Sequence, residues 1–289
     1  MNSYREYVES YVKLLDEGRK ISLGGFEAPE RGHVSDKAPV VMVFSPHPDD
    51  ECIVGALALR LLRQSKMRVL NVAVTQGSNR ERQLARYEEL RNACGFLGFE
   101  LIRTAERGLE KINLKTRSNE PGEWSKSVEI IKEIIASNNP MMIMIPHESD
   151  SNSSHIGTHF LVKDAMKAMG PDFSCIVCET EFWSAHSSPN LMLESGADDV
   201  ADLVTALSFH VEEVQRNPYH LRLPAWMEDN VRRGGELVGG QGGAVPDFAF
   251  ATLYRISRWV GCEFAPAYEG GKTVAAGNSL LDVLKPLTI

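Results

Sequence analysis

Long apolar runs are missing from this chain of 289 residues. No stretch approaches the ~18 consecutive apolar residues of a membrane span. The opening segment, MNSYREYVESYVKLLDEGRK, is charged and amphipathic. It lacks the apolar centre of a secretory signal, so a cytoplasmic location is the default expectation. Runs of basic residues are missing too, and the formal net charge is −8. That balance argues against a nucleic-acid-binding surface. Cysteine is scarce and odd in number, with five at scattered positions, which does not form a disulfide framework. Cys175 and Cys178 have CxxC spacing, but they lie in FSCIVCETEF, which reads as a strand. Strand residues three apart face opposite ways, so the two thiols are expected to diverge as buried apolar groups.

A glycine-rich turn after the first buried strand is also absent. VVMVF (40–44) is followed by SPHPDDE, whose acids would repel a pyrophosphate. The densest glycine stretch, 234–248, is not placed between a strand and a helix start, and GGQGG within it (239–243) reads as a flexible loop. Internal repeats and low-complexity tracts are lacking as well.

What is present is an alternation. The pattern predicts a helix over 4–18 with Tyr4, Val8, Tyr11, Val12 and Leu15 on one face. A Gly/Pro-rich connector leads to the strand at 40–44, a continuous apolar run of the kind buried on both faces. A helix over about 51–65 follows, turning Leu57, Leu61 and Leu62 inward. Next come a strand at 68–75, a helix at 78–98 capped by Ser78 or Asn79, a strand at 99–104 and a helix at 125–138. A strand at 141–146, a helix beginning near His155 and a strand at 174–182 complete the series, and 198–215 and 224–233 read as helical. This predicts an α/β fold: a Rossmann-like, mostly parallel sheet with helices on both faces, plus a C-terminal elaboration. The expected organisation is an N-terminal helix and connector (1–37), a main domain (38–215) and a C-terminal extension (216–289) packing on it as a lid or an oligomer contact.

Two predicted strand ends carry unusual polar residues. One is SPHPDDE, with His47, Asp49, Asp50 and Glu51; the other is PHESDSNSSHIGTH, with His147, Asp150, His155 and His159. Ligands of open α/β sheets sit at the carboxyl ends of the strands, so these segments can meet. His47 and Asp50 are three apart and can converge in a strand-to-helix turn, with one histidine from the second segment completing a three-ligand set. Asp49 is then a spare carboxylate able to take a proton from water. The plain alternative is that Asp49 and Asp50 cap the next helix. That accounts for one acid, not for His-Pro-Asp-Asp-Glu. His159, one helical turn past His155, reads rather as a histidine on a helix flank.

SPHPDDE after a buried strand resembles the signature of the PIG-L/LmbE-like superfamily, zinc-dependent N-acetylglucosaminyl de-N-acetylases. LARYEELRNACGFLG resembles its R-x-x-E helix, with Arg86 and Glu89 in the matching places, and HIGTHFLV resembles its second metal motif. ETEFWSAHSSPNLML and VTALSFHVEEV are weaker matches, and the likeness covers about 38–215. The resemblance implies that His47, Asp50 and His155 hold Zn²⁺ or another divalent ion, that Asp49 is the general base, and that Arg86 binds substrate. It implies a small-molecule substrate, an N-acylated amino sugar conjugate, and admits a homo-oligomer. Where relatives read H-P-D-H, this chain reads Asn152-Ser153-Ser154-His155. Asn152 can donate a hydrogen bond to an oxyanion but cannot deliver a proton. His147 or Asp49 is left to do so. The altered motif keeps open a hydratase of an unsaturated dicarboxylic acid on the same scaffold, or a non-catalytic metal-binding relative.

Overall fold

The computed structural model describes residues 2–284 and 287. The chain runs α1 (Arg5–Gly18), β1 (Val40–Ser45), α2 (Asp50–Ile53), α3 (Ala56–Arg63), β2 (Arg68–Ala73), α4 (Gln83–Leu97) and β3 (Glu100–Arg103). It continues through α5 (Leu114–Asn119), α6 (Pro121–Asn138), β4 (Met142–Pro146), α7 (Ser153–Ala168), β5 (Cys175–Thr180) and β6 (Leu191–Glu194). Then follow α8 (Ala197–Leu207), α9 (Val211–Arg216), a 3₁₀ turn (Tyr219–Arg222), α10 (Leu223–Leu237), β7 (Ala251–Val260), β8 (Glu263–Pro266), β9 (Lys272–Val274) and α11 (Leu281–Leu284). Among the described residues no helix is long and apolar enough to cross a membrane.

The strands form one sheet in the order β3-β2-β1-β4-β5-β7-β6-β9, with β8 on the flank of β7. The five strands from β3 to β5 are parallel, as the alternation predicts. β1 lies between β2 and β4, and all six of its residues are buried. Its side chains divide by parity: Val41 and Val43 join one core, Val40, Met42 and Phe44 the other. Helices α3, α4 and α8 cover the first face, α6 and α7 the second. This two-sided burial is why β1 and β4 read as unbroken apolar runs, whereas the edge strand β3 is half exposed. The CxxC thiols diverge on β5: Cys178 lies in the first core, while Cys175 packs against the second.

Several boundaries differ from the sequence reading. The single helix expected over 51–65 is two, broken at Val54–Gly55. Gly55 has φ +81°, and a Cβ there would lie 2.4 Å from Thr252 Oγ1 and 2.7 Å from the Tyr254 hydroxyl. That hydroxyl donates to Val54 O at 2.7 Å and accepts from Leu57 N at 3.2 Å, bridging the break. The helix expected over 198–215 is likewise divided, with His210 at the junction. α4 starts at Gln83; Asn79 instead accepts from Glu81 N in the preceding turn, and neither Ser78 nor Asn79 is the cap. α10 carries the chain to Leu237, so the glycine-rich loop is shorter than expected. α1 forms as predicted, but none of its residues is fully buried and Leu15 is only half-buried.

The C-terminal part does not stand apart. β7 pairs antiparallel with β5 (Cys175↔Trp259 to Thr180↔Tyr254) and carries β6 and β8 on its far side. Residues distant in sequence thereby reach the carboxyl ends of the parallel strands.

Candidate metal centre

Strand order reverses at β1: β2 and β3 lie on one side, β4 and β5 on the other. Such a switch opens a crevice at the carboxyl ends of the two central strands. The segments after β1 and β4 line it.

After β1 the chain turns tightly. The His47 N–H donates to Asp50 Oδ2 at 2.8 Å, and the Asp50 N–H donates to His47 O at 3.3 Å. This reciprocal pair folds the His-Pro-Asp-Asp turn onto itself and brings the two side chains to one side. After β4, Asn152 caps α7 through its Oδ1, which accepts from Ser154 N at 2.8 Å. His155 therefore sits in the first turn of the helix, fully buried.

Three atoms converge there. His47 Nδ1 is 3.4 Å from Asp50 Oδ2, His155 Nε2 is 3.2 Å from the same oxygen, and the two imidazole nitrogens are 3.3 Å apart. A tetrahedral ion with bonds of about 2.0–2.1 Å separates its ligands by about 3.3 Å. Three lone-pair atoms so spaced repel unless a proton or a cation lies among them. The charges say the same: although burial opposes it, Asp50 and Asp150 push the His155 imidazole up to about 10. Burial would also raise the Asp50 carboxyl, but His155 and His47 draw it well below the usual carboxylate range. Asp50 Oδ1 and His155 Nδ1 have no hydrogen-bond partner among the described residues. The donor set and its spacing fit a divalent ion.

Asp150 stands behind His155. Its Oδ1 lies 3.7 Å from His155 Nδ1 and accepts from Asn152 N, while Oδ2 accepts from Trp183 N at 3.2 Å and Ser184 N at 3.3 Å. A carboxylate behind the far ring nitrogen is the usual support of a metal-binding histidine.

Asp49 stands beside the trio with φ +118°, a conformation side chains rarely adopt. Burial, and then the charge of Asp50, push its carboxyl up to about 6. Tyr219 donates its hydroxyl to Asp49 Oδ2. Arg86 approaches the same oxygen to 3.9 Å and donates to Pro48 O at 2.8 Å. Gly77 makes room for it: a Cβ there would lie 2.3 Å from Arg86 Nη1.

A cavity of about 630 Å³ opens from the centre, lined by His47, Arg86, Lys111, Asn113, Asn152 and Ser154 among others. His47, Asp49, Asp50, Arg86, Asn152 and His155 are thus all brought to one crevice. His147 is turned elsewhere: its Nε2 lies 2.9 Å from Ser184 O and its ring packs 5.0 Å from His186. His159 points away as well, its Nδ1 bonded to Pro146 O at 2.9 Å. Sequence reasoning missed Tyr219 and the place of Asp150 behind His155. Tyr219 carries no local signal, because it arrives from beyond the recognisable segment. Asp150 was visible as one acid among several.

The fold has relatives among solved structures. The N,N'-diacetylchitobiose deacetylase of Pyrococcus horikoshii, solved with an inhibitor, superposes with a TM-score of 0.55 at 16% identity, over 89% of this chain and 94% of that one. The A40926 pseudoaglycone deacetylase Dbv21 gives 0.54 at 15%, over 76% and 98%. GalB, the 4-carboxy-2-hydroxymuconate hydratase of Pseudomonas putida KT2440, gives 0.53 at 13%, over 75% and 95%. At such identities the likeness is one of fold. No curated protein matches the chain in sequence. The model of the PIG-L family, GlcNAc-PI de-N-acetylase, matches residues 42–166. That match spans less than half of the chain and includes His47, Asp49, Asp50, Asp150 and His155.

Proposed function

We propose that this chain is a metal-dependent N-deacylase that removes an acetyl or related acyl group from an amino sugar conjugate. The observation that carries the reading is the His47–Asp50–His155 triangle, whose edges of 3.2–3.4 Å suit a tetrahedral ion, with Asp49 left over beside it. These three residues would hold the ion, Zn²⁺ or another divalent metal. When bound, it supplies Lewis acidity toward the acyl carbonyl and lowers the pKa of a neighbouring water.

The chain's own groups do the rest. Tyr219 occupies Asp49 Oδ2, which leaves Oδ1 to accept a proton from the attacking water. The water oxygen adds to the acyl carbon, and the C–N bond then breaks. We assign the return of the proton to the departing amine to Asp49 as well, because the His147 ring is committed to Ser184 O. Asn152 lines the cavity and spends its Oδ1 on the helix cap, and we assign its amide N–H groups to a developing oxyanion. Arg86 and the polar cavity would bind the hydroxyl-rich part of the substrate. Residues 216–289 are, in this reading, a working part of the catalytic unit, since Tyr219 reaches the base from there.

The test is acetate release from N-acetylglucosamine and N,N'-diacetylchitobiose by zinc-loaded protein. Asp49→Asn should keep its metal and lose about 10²- to 10⁴-fold in kcat. Near-wild-type turnover in that variant refutes the base assignment. Absence of acetate with every N-acetylated sugar, alongside hydration of an unsaturated dicarboxylic acid, replaces the deacylase reading altogether.

A further inference from the structure

A second buried polar group lies under Asp49. Glu51 and His210 are both fully buried, although 159 residues separate them. His210 Nε2 lies 2.7 Å from Glu51 Oε1, and the Cys52 thiol donates to the same oxygen at 3.1 Å. The other oxygen, Glu51 Oε2, accepts the backbone N–H of Asp49 at 2.9 Å. Glu51, Cys52 and His210 are all residues that bind metals, and their donor atoms cluster. Yet Glu51 and His210 are in direct hydrogen-bond contact, with no space between them for an ion. The group is a relay of hydrogen bonds, and its free end grips one peptide N–H.

That N–H belongs to the residue whose backbone is most in need of holding. Asp49 has φ +118° and ψ −27°, which a side-chain-bearing residue keeps only when its surroundings impose it. The peptide on its C-terminal side is already committed to the ligand turn, through the Asp50 N–H on His47 O. Glu51 supplies the constraint on the other peptide. His210, at the junction of α8 and α9, keeps the Glu51 carboxylate from swinging away. The same junction sets α9, where Glu213 lies 3.9 Å from Arg86 Nε and 3.1 Å from Arg82.

We propose that Glu51, held by His210, is a positioning residue: it fixes the left-handed backbone of Asp49 so that the carboxylate faces the attacking water instead of capping α2. The inference rests on Asp49 being the base, and it concerns a group that touches neither metal nor substrate.

The experiment is a double-mutant cycle on zinc-loaded protein, with kcat, KM, metal content and melting temperature measured for each variant. Glu51→Met removes both acceptors at similar volume. It should lower kcat by about 100-fold, with KM and metal content unchanged. Glu51→Gln, whose amide oxygen can still accept the Asp49 N–H, should recover most of that loss. Should Glu51→Met not fold, His210→Phe takes its place and should lower kcat alone, by a smaller factor. In the Asp49→Asn background, either change should cost no further turnover. Full kcat in Glu51→Met or His210→Phe, beside an inactive Asp49→Asn, overturns the positioning inference and leaves the base assignment standing. A loss that persists undiminished in the Asp49→Asn background also overturns it, since Glu51 would then act on the fold at large. An active Asp49→Asn overturns the base assignment itself, and the inference with it.

Discussion

Two regions of this molecule bury charge, and they do it in opposite ways. At the foot of α3, the Arg60 side chain is 1% exposed. Its guanidinium donates to Glu194 O, Ala275 O, Ala276 O and Asn278 O at 2.9–3.1 Å, and Nε donates to Gln64 Oε1. Every donor group meets fixed acceptors, and the result is a clamp that ties the 275–278 segment to α3 and β6. At the carboxyl ends of β1 and β4, His47 Nδ1, Asp50 Oδ2 and His155 Nε2 crowd within 3.2–3.4 Å of one another, and among the described residues Asp50 Oδ1 and His155 Nδ1 have no hydrogen-bond partner. A buried ionic group costs several kcal/mol of desolvation unless its surroundings compensate. The first region is compensated within the fold; the second awaits something from outside. Satisfied charge holds the 275–278 segment in place, and converging unsatisfied charge is what singles out the proposed site.

The contrast can be broken from either side. The largest effect is expected at the unsatisfied end. Asp50→Ala should abolish tight divalent-metal binding and lower deacylation by at least roughly 1,000-fold, the equivalent of the several kcal/mol a bound ion supplies. Metal analysis after dialysis, beside an acetate-release assay, measures both. Arg60→Met should do the reverse. Four carbonyls of half-buried or exposed residues lose a shared donor, so the fold should weaken by about 1–3 kcal/mol in denaturant unfolding. Metal content and kcat of the folded fraction should stay at wild-type levels. A variant that loses metal along with stability would erase the distinction.

A smaller effect sharpens it. Near the end of β5 lies a third buried cluster, in which Glu179 faces His159, His186 and Arg255 at 3.7–4.0 Å, with Glu148 and Lys163 at the rim of the same cavity. Burial, opposed by Arg255, pushes the Glu179 carboxyl up to about 7 from an ordinary value of 4.5. Its folded-state pKa is raised, so its contribution to stability is complete below about pH 4.5 and is lost as pH rises through about 7. Burial pulls His159 and His186 the other way, each down to about 4, and they cost stability as pH falls from 6.5 toward 4. Glu179→Gln removes only the first effect. The variant should gain roughly 2–3 kcal/mol on wild type above pH 7, with the difference closing toward pH 4.5. Unfolding curves across that window check it.

The legible parts of the fold were those set by short-range pattern. β1 and β4 announce themselves because both faces are buried, and the crevice follows from their order in the sheet. The His-Pro-Asp-Asp turn was readable because its residues meet through local hydrogen bonds, from His47 N to Asp50 and from Asp50 N back to His47. What escaped depends on partners far along the chain. The break at Gly55 is imposed by Tyr254, about 200 residues away, and nothing within 51–65 reveals it. Tyr219 on Asp49 and His210 on Glu51 are likewise long-range choices. The apolar face of α1 has the right period for burial, yet period alone does not say how deeply a neighbour covers it: Tyr11 reaches Glu228 and Gly18 lies against Leu221, but no residue of the helix is fully buried.

The central claim is that His47, Asp50 and His155 grip one divalent ion. Its most direct test is anomalous scattering at the zinc edge from crystals of the zinc-loaded protein. The account predicts one strong peak about 2.0–2.2 Å from His47 Nδ1, Asp50 Oδ2 and His155 Nε2 together. A peak at Glu51, Cys52 and His210 with the first site empty would contradict it.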